Sequence, residues 1–564
     1  MLLACSLTFG AARGQKRTSL ASQVTTPEEF YDGIRQGRAV TRVDSVLATI
    51  ASIVRHVPNL GAQVDAGGPC LTELMYYAWA HRNEVSAPIA QSILSTEFAN
   101  QDSIISPKGH FAIYFDHTGA NAATREYVDS IAAISDRAYD FEINTLGYPK
   151  PPYPFADSTF HTHLTDFGVT GKYGYTQPTT DGDLGPTPSG LEKWRTFDVI
   201  DNDFSEQNYQ THGYDAARVT VFHEFHHVIQ WGIYGVSNLP GPDGYAVDSY
   251  FKEMTAVWME SISNPDVKDY IQYVSGYLTT LNLSINGGVD RGYSQAIWLQ
   301  FLEKTYGPEI VKDIWSRYST VRYSDNIHAV VCSMQDALTA RGSNFQKEYM
   351  RFGAALFFTG RQYKGASIFP DAELFQYDSL VRILDTTPGK PVAVQFGALP
   401  ASLNFIYEGF GNDTVAVVIA RDTDFMITSD ANATINGPSP YSYKTLYQFP
   451  NAFADTLLAL TVQTASSGLK VFPQPFTVGS TPQNALWFLA SVHQPVDVQL
   501  DIYSMNFDKI AHVEKSAVGY LDSWYETWNG VDDLGRVVPS GVYLYSMMCD
   551  GVRTEGKFVV VHKN

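Results

Sequence analysis

The spacing of apolar positions changes along the chain, and each regime predicts a different kind of structure. From residue 24 to 100 apolar residues recur every three or four positions, as in LTELMYYAWAHRN (71–83) and APIAQSILSTEF (87–98), the period of helices with one buried face. Thr26-Pro27-Glu28-Glu29 is a helix start, with proline in the first turn and acids at the positive end of the dipole. This helical N-terminal segment reads either as a pro-segment or as the first lobe of the main domain. From 101 to 388 the pattern is mixed. HFAIYFD (110–116) alternates like a strand, 122–146 reads as a long amphipathic helix ended by Gly147, and 164–168, 172–178 and 196–204 read as further strands. Three more helices are expected after these strands.

Beyond 388 the helical period disappears. Short β-branched and aromatic runs, PVAVQF (391–396), SLNFIYEG (402–409), TVAVVIA (414–420) and TLLALTV (456–462), alternate with turn residues, the pattern of a β-sandwich over 389–469. A second β region covers 470–564. There GVYLYSMMC (541–549) and VRTEGKFVVV (552–561) flank Asp550-Gly551, a two-residue link suited to a type I′ hairpin. The fold class read from these patterns is multidomain α+β, with a mixed-sheet and helical domain followed by two β-sandwich domains.

Composition narrows the function. Lys+Arg 39 against Asp+Glu 59 gives a charge of −20, which excludes a nucleic-acid binder needing a basic face. No apolar run approaches the ~20 residues of a spanning helix, so no membrane span is expected. The opening MLLACSLTFGAARGQ (1–15) is apolar with small residues at its end and reads as an export signal, implying a secreted or cell-surface protein. Leu2-Leu3-Ala4-Cys5 also fits a lipoprotein box, although it lies very near Met1. Four cysteines, Cys5, Cys70, Cys332 and Cys549, are too few for a disulfide scaffold and form no CxxC pair. In an exported chain Cys70 and Cys332 are a candidate pair.

The candidate chemistry is concentrated in 215–264. Asp215 is a candidate N-cap for a helix carrying His223-Glu224-Phe225-His226-His227, an HExxH match. Four helical residues turn about 400°, so His223 and His227 share a face, and Glu224 is set to work beside a metal they hold. His226 is displaced from that pair and reads as a neighbour. Chance alone gives roughly 0.04 such matches in a chain of this composition. The next helix, 248–264, starts at the candidate cap Asp248 and carries Glu253 and Glu260 seven residues apart among Met254, Ala256, Val257, Trp258 and Met259. Carboxylates in so apolar a helix need a metal or a hydrogen-bond partner. Two histidines and one downstream carboxylate make a zinc site with one position open, the form of a catalytic centre.

HEFHHVIQ followed by EMTAVWME resembles the gluzincins, the thermolysin- and aminopeptidase-N-like zinc peptidases, and most closely a type of secreted myxobacterial metalloprotease. The likeness covers about 100–350, including the strands around Tyr114-Phe115-Asp116 and Tyr173-Gly174-Tyr175-Thr176. It implies a zinc peptidase domain over 101–388, with His223, His227 and Glu253 as zinc ligands, Glu224 as general base and Glu260 as an acceptor orienting a ligand histidine. It also implies a tyrosine donating to the oxyanion. Tyr293, read at the start of helix 293–307, is the candidate, and His328 is a weaker one. Aminopeptidase members carry a G-x-M-E-N strand that grips a free amino terminus, and 170–222 contains none. Endopeptidase action is therefore expected, with an aminopeptidase and a non-catalytic adhesion protein as alternatives. Tyr173–Thr176 or Asp198–Phe204 is a candidate edge strand for an extended peptide. His161 and His163 read as surface polar residues. Asp181/Asp183 and Asp422/Asp424 are two-carboxylate fragments read as loops rather than calcium sites.

Residues 527–561, with WNGVDDLGRVVPSGVYLY near their head, resemble the FlgD-like Ig and C-terminal sorting domains of exported bacterial proteins. That likeness covers 470–564 and implies secretion or cell-surface machinery as a partner, beside a protein or peptide substrate for the zinc domain.

Overall fold

The structure is a computed structural model. It describes residues 19–376 except 39–40, 61–63, 65–67, 95–100, 242, 281–284, 286–287, 358, 361–362 and 364–366. Further on it describes 382–383, 397–398, 414–420, 425–428, 443–449, 470–472, 474–478, 486–491, 496–518, 523–549 and 552–562. The reading of 1–15 as an export signal and those of 391–396, 402–409, 456–462 and Asp422/Asp424 lie outside the described residues. The chain forms two compact units, 1–272 with 286–333, and 273–285 with 334–564.

The first unit is α+β. Its amino-terminal helices are α1 (Leu20–Gln23), α2 (Pro27–Arg35), α3 (Arg42–Ile53), α4 (Thr72–Ala80) and α5 (Ala87–Leu94). Thr26 caps α2 by accepting from the Glu29 amide, and Thr41 and Asp44 close a reciprocal capping box on α3. The sheet contains β1 (Asp102–Ile105), β2 (Phe111–Phe115), β3 (Phe160–Thr165), β4 (Gly174–Pro186) and β5 (Glu192–Asp201) in the order β1-β2-β3-β5-β4. β2, β3 and β5 run parallel, while β1 and β4 are antiparallel edge strands, so the candidate edge at Asp198–Phe204 falls instead on interior strand β5. A parallel pair needs a crossover, and α6 (Arg125–Tyr139) supplies it between β2 and β3.

Two expectations change here. The helix read over 122–146 stops at Tyr139 and continues as a π-helical turn, Asp140–Thr145. That wider turn aims Glu142 into the interior, where it meets His226. His161 and His163 are not surface residues. β3 is the central strand, all six of its residues are buried, and both histidines are 7% exposed. A strand covered on both faces has no solvent side to give them.

α7 (Gly213–Ile229) and α8 (Ser249–Ser263) lie against each other, and α7 also packs on the sheet. Every residue of α7 from Val219 onward is buried, as is every residue of α8 up to Glu260. Helices enclosed all round must satisfy their polar side chains internally. The cap assignments differ from expectation. α7 begins at Gly213 with His212 at its N-cap, so Asp215 lies inside the first turn, where it pairs with Arg218. Asp248 does precede α8 but gives its end no side-chain cap. Its Oδ2 accepts from the Ser237 amide and the Tyr318 hydroxyl instead. The helix read as 293–307 is two helices, α10 (Val289–Ser294) and α11 (Ala296–Tyr306), broken at Gln295. Tyr293 thus lies near the end of α10, not at the start of the longer helix. α12 (Glu309–Thr320) completes this unit, while α9 (Ile271–Thr279) and α13 (Ala329–Thr339) run across the division.

The second unit holds α14 (Phe345–Phe357), and its later strands make up four small sheets. β6 (Arg382–Ile383) and β7 (Gly397–Ala398) form a short parallel pair, and β8 (Thr414–Ala420), β9 (Phe425–Thr428) and β10 (Tyr443–Phe449) form an antiparallel sheet. A third sheet joins β11 (Lys470–Phe472), β13 (Leu486–Ser491) and β16 (Ser523–Trp528). The fourth joins β12 (Phe476–Val478), β14 (Val496–Tyr503), β15 (Lys509–Val518), β17 (Gly541–Cys549) and β18 (Val552–His562). One core that includes Phe488, Trp528, Tyr545 and Phe558 draws on both of these sheets. β17 and β18 pair antiparallel with Cys549 opposite Val552, the register that a two-residue link imposes. The WNGVDDLGR run is a self-bonded loop: Trp528 donates to the Val531 carbonyl, and Asp532 accepts from the Leu534 and Arg536 amides. Among the described residues no helix is long and apolar enough to cross a membrane.

Candidate metal centre

Consecutive turns of α7 aim His223 and His227 at one point. Their Nε2 atoms are 3.1 Å apart, with the rings nearly perpendicular. Each ring is oriented through its other nitrogen: His223 Nδ1 donates to Glu260 Oε1 at 2.5 Å, and His227 Nδ1 to Gln230 Oε1 at 2.8 Å. An imidazole that donates from Nδ1 carries a lone pair on Nε2. Two such lone pairs therefore face each other in a buried site. Glu253, fully buried on α8, adds a carboxylate whose Oε2 lies 3.2 Å from His223 Nε2 and 3.6 Å from His227 Nε2. Neither of its oxygens has a hydrogen-bond donor.

These three converging groups belong to a cluster that could hold a metal ion, and the spacing suits zinc. A tetrahedral ion with Zn–N near ~2.05 Å and Zn–O near ~2.1 Å holds its ligands roughly 3.3 Å (N to N) and roughly 3.4 Å (N to O) apart. The donor set and the donorless carboxylate thus fit the metal that the sequence implied.

His226 points the other way. Its Nδ1 bonds Glu142 Oε2 at 2.8 Å, and both side chains are fully buried. Burial pushes the imidazole down and the carboxyl up, so this is a neutral structural pair. Gln230 was not among the sequence candidates, although its place three residues after His227 was visible. Its amide also donates to the Lys252 carbonyl and Thr255 Oγ1, tying the end of α7 to α8.

Glu224 lies beside the cluster and is 1% exposed. Its Oε2 accepts from Thr176 Oγ1 at 2.9 Å and Thr72 Oγ1 at 3.3 Å, while Oε1 has no partner. Thr176 has one hydroxyl proton and a second carboxyl within reach, Asp198 at 3.0 Å. Burial, and next the charge of Glu224, raise the Asp198 carboxyl well above the usual range. Thr176 Oγ1 thus links Asp198 to Glu224. Gly174 makes room for it, since a Cβ there would lie 3.0 Å from Glu224 Oε1 and 2.8 Å from the Val199 carbonyl.

The largest omission of the sequence reading is Cys70. Its Sγ belongs to the same cluster as His223, His227 and Glu253, with all four ligand atoms within 4.8 Å of one another. It forms no disulfide, and Cys332, its candidate partner, is also a free thiol. Tyr293 is near: its ring stacks almost parallel to that of His223, 6.2 Å between centres. His328 is outside the cluster and bonds Asp325. Asp181 and Asp183, expected in a loop, lie within β4, where Asp183 is paired with Trp194 and accepts from the Gly185 amide. A second acidic group, Asp166, Asp201 and Glu206, is built around Asp201, whose oxygens accept from the amides of Phe167, Asp203 and Phe204 and from the Tyr209 hydroxyl.

Residues 110–330 match a family described as of unknown function (DUF6055). That span contains the histidines and glutamates above and Tyr293, but not Cys70 or Thr72. No curated protein matches the chain. Three solved structures are similar to it. Dimeric latent PorU from Porphyromonas gingivalis is 13% identical, with 32% of this chain and 21% of that one covered, at a TM-score of 0.15. PorZ, a surface component of the type-IX secretion system of the same organism, is 14% identical over 30% and 23%, at 0.13. Aminopeptidase A of Legionella pneumophila, in complex with aspartic acid, is 8% identical over 77% and 36%, at 0.25. The chain spans between 21% and 36% of the length of these structures. Likenesses this slight leave function to the chemistry of the site.

Proposed function

We propose that this chain is a zinc-dependent endopeptidase that acts outside the cell, with His223, His227 and Glu253 holding the metal. The observation that carries the proposal is the buried convergence of two imidazole nitrogens and a donorless carboxylate beside a second buried carboxylate, Glu224. Zinc held there supplies Lewis acidity to a peptide carbonyl and to a water. Glu224 takes a proton from that water through Oε1, the oxygen without a partner, and returns it to the leaving amine. Thr176 aims the carboxylate from its other oxygen. Glu260 and Gln230 hold the histidine rings in the tautomer that binds metal. Tyr293, stacked beside His223, donates to the developing oxyanion.

The edge strand β4 suits an extended peptide chain, which favours cleavage within chains over removal of single residues. The WNGVDDLGR loop and its hairpin support a sorting or surface-attachment role for 470–564, with 389–469 as a separate β domain. The test is cleavage of a peptide blocked at both ends, by the full chain and by its Cys70→Ser variant, because the Cys70 thiol lies among the ligands. Chelator-sensitive cleavage is expected, falling about 10²–10⁴-fold when Glu224→Gln is added. Cleavage unchanged by Glu224→Gln contradicts the mechanism, and cleavage only of peptides with a free amino terminus contradicts endopeptidase action.

A further inference from the structure

We infer that the Cys70 thiolate is the fourth protein ligand of the metal, and that residues 68–72 form a built-in strap that closes the site. The inference rests on the metal site proposed above and adds a regulated state to it.

The distances support a fourth corner. Cys70 Sγ lies 3.6 Å from His227 Nε2 and is buried. With Zn–S near ~2.3 Å and Zn–N near ~2.05 Å, a tetrahedral ion holds sulfur and nitrogen roughly 3.6 Å apart. Thr72 holds the sulfur from both sides: its amide donates to Sγ at 3.4 Å, and the thiol donates to its Oγ1 at 3.0 Å. On binding, the thiol proton leaves to solvent and one S–metal bond forms.

The backbone around Cys70 is held as firmly as the thiol. Cys70 bridges Gly174 in the parallel sense: the Tyr173 amide donates to the Pro69 carbonyl, and the Leu71 amide to the Gly174 carbonyl. Lys172 Nζ donates to the Gly68 carbonyl at 2.6 Å, and the Thr176 amide to Thr72 Oγ1 at 2.8 Å. The strap thereby takes the start of the free edge of β4, where an extended substrate would pair. Gly68 lies on the Tyr293 ring so closely that a Cβ would be 2.5 Å from Cε2. Just beyond the strap, Glu73 pairs with fully buried Lys252 at 2.6 Å and anchors α4 to α8. One short segment thus fills the open metal position, covers the tyrosine and occupies the substrate edge. Three protein ligands with a free position define a catalytic zinc, whereas four define a closed one. The folded chain holds the closed state, and the enzyme works when the strap leaves.

The test is zinc X-ray absorption on the full-length protein purified with a reductant, together with peptide cleavage. Wild type is expected to show one sulfur near ~2.3 Å among nitrogen and oxygen ligands. Cys70→Ser should keep about one zinc, lose the sulfur shell and cleave the blocked peptide about tenfold faster or more, since a tethered inhibitor acts at high effective concentration. Gly68→Val, which leaves the thiol in place but drives a side chain into the Tyr293 ring, should weaken the sulfur shell and raise cleavage too. Zinc that depends on His223 and His227 but shows no sulfur in wild type overturns the thiol ligand and leaves the metal site standing. Absence of such zinc overturns both. A lost sulfur shell without faster cleavage in Cys70→Ser, or a full shell in Gly68→Val, overturns the strap.

Discussion

Among the described residues two pairs of histidines are buried, and one of them lies in a cluster that could hold a metal ion. His223 and His227 are four residues apart on a helix, and His161 and His163 two apart on a strand, so both spacings put two imidazoles on one face. In α7 each ring spends its Nδ1 on a separate acceptor, and the remaining nitrogens meet at one point with Glu253. On β3 the rings are 6.2 Å apart, and each has a different partner. His161 Nε2 bonds Asp157 at 2.6 Å, while His163 Nδ1 bonds Gln101 at 2.9 Å and its ring stacks on Tyr114. Pairing and burial are common to both. What differs is whether lone pairs converge on a carboxylate that has no donor of its own.

That contrast can be broken from either side. The largest effect is expected for Glu224→Gln, which should lower peptide cleavage by about 10²–10⁴-fold while leaving zinc bound, read by steady-state kinetics beside metal analysis. Equal loss of metal would show Glu224 to be a ligand instead. Next, Glu260→Gln and Gln230→Ala release one ring each from its orienting acceptor. Each should weaken zinc binding about 10–100-fold in a competition titration, and unaltered affinity would deny those residues an orienting role.

The smallest effects belong to the strand pair. Burial holds the His163 imidazole down to about 3, against about 6.5 for an unfolded histidine. Between those values the unfolded chain binds one more proton than the folded one, so stability falls as the pH drops through this window. His163 should account for on the order of 1–2 kcal/mol of the stability lost between about pH 7 and about pH 5. His163→Phe, which keeps a ring against Tyr114, should lose correspondingly less in urea unfolding and should bind as much zinc as wild type. Equal acid sensitivity in the two proteins would contradict the assignment.

The metal face was legible because its signal is local. A four-residue helical spacing sets His223 and His227 together, and an apolar helix forces Glu253 and Glu260 to find partners. Cys70 and Thr72 lie far before the helix they reach, 157 residues from Cys70 to His227 and 152 from Thr72 to Glu224, and a contact made by topology leaves no period in the sequence. Their place depends on β4 being an edge strand with room beside it. His161 and His163 depart from their expected surface place for a related reason: nothing local marks them as buried, and only the strand order shows that β3 is central. Helix ends were legible to within a turn except where a buried polar contact intervened, as when the π turn after α6 carries Glu142 to His226. The β-character of the chain after 388 was plain from its short runs, and the described strands from β8 onward agree with it.

The catalytic expectations share one premise, a metal ion held by His223, His227 and Glu253. Its most direct test is the zinc content of the purified full-length chain against that of the His223→Ala/His227→Ala double variant, by plasma mass spectrometry. About one zinc per chain, lost in the variant, is the expected result. A wild-type chain that stays zinc-free when supplied with the ion, or a variant that keeps it, would contradict the account.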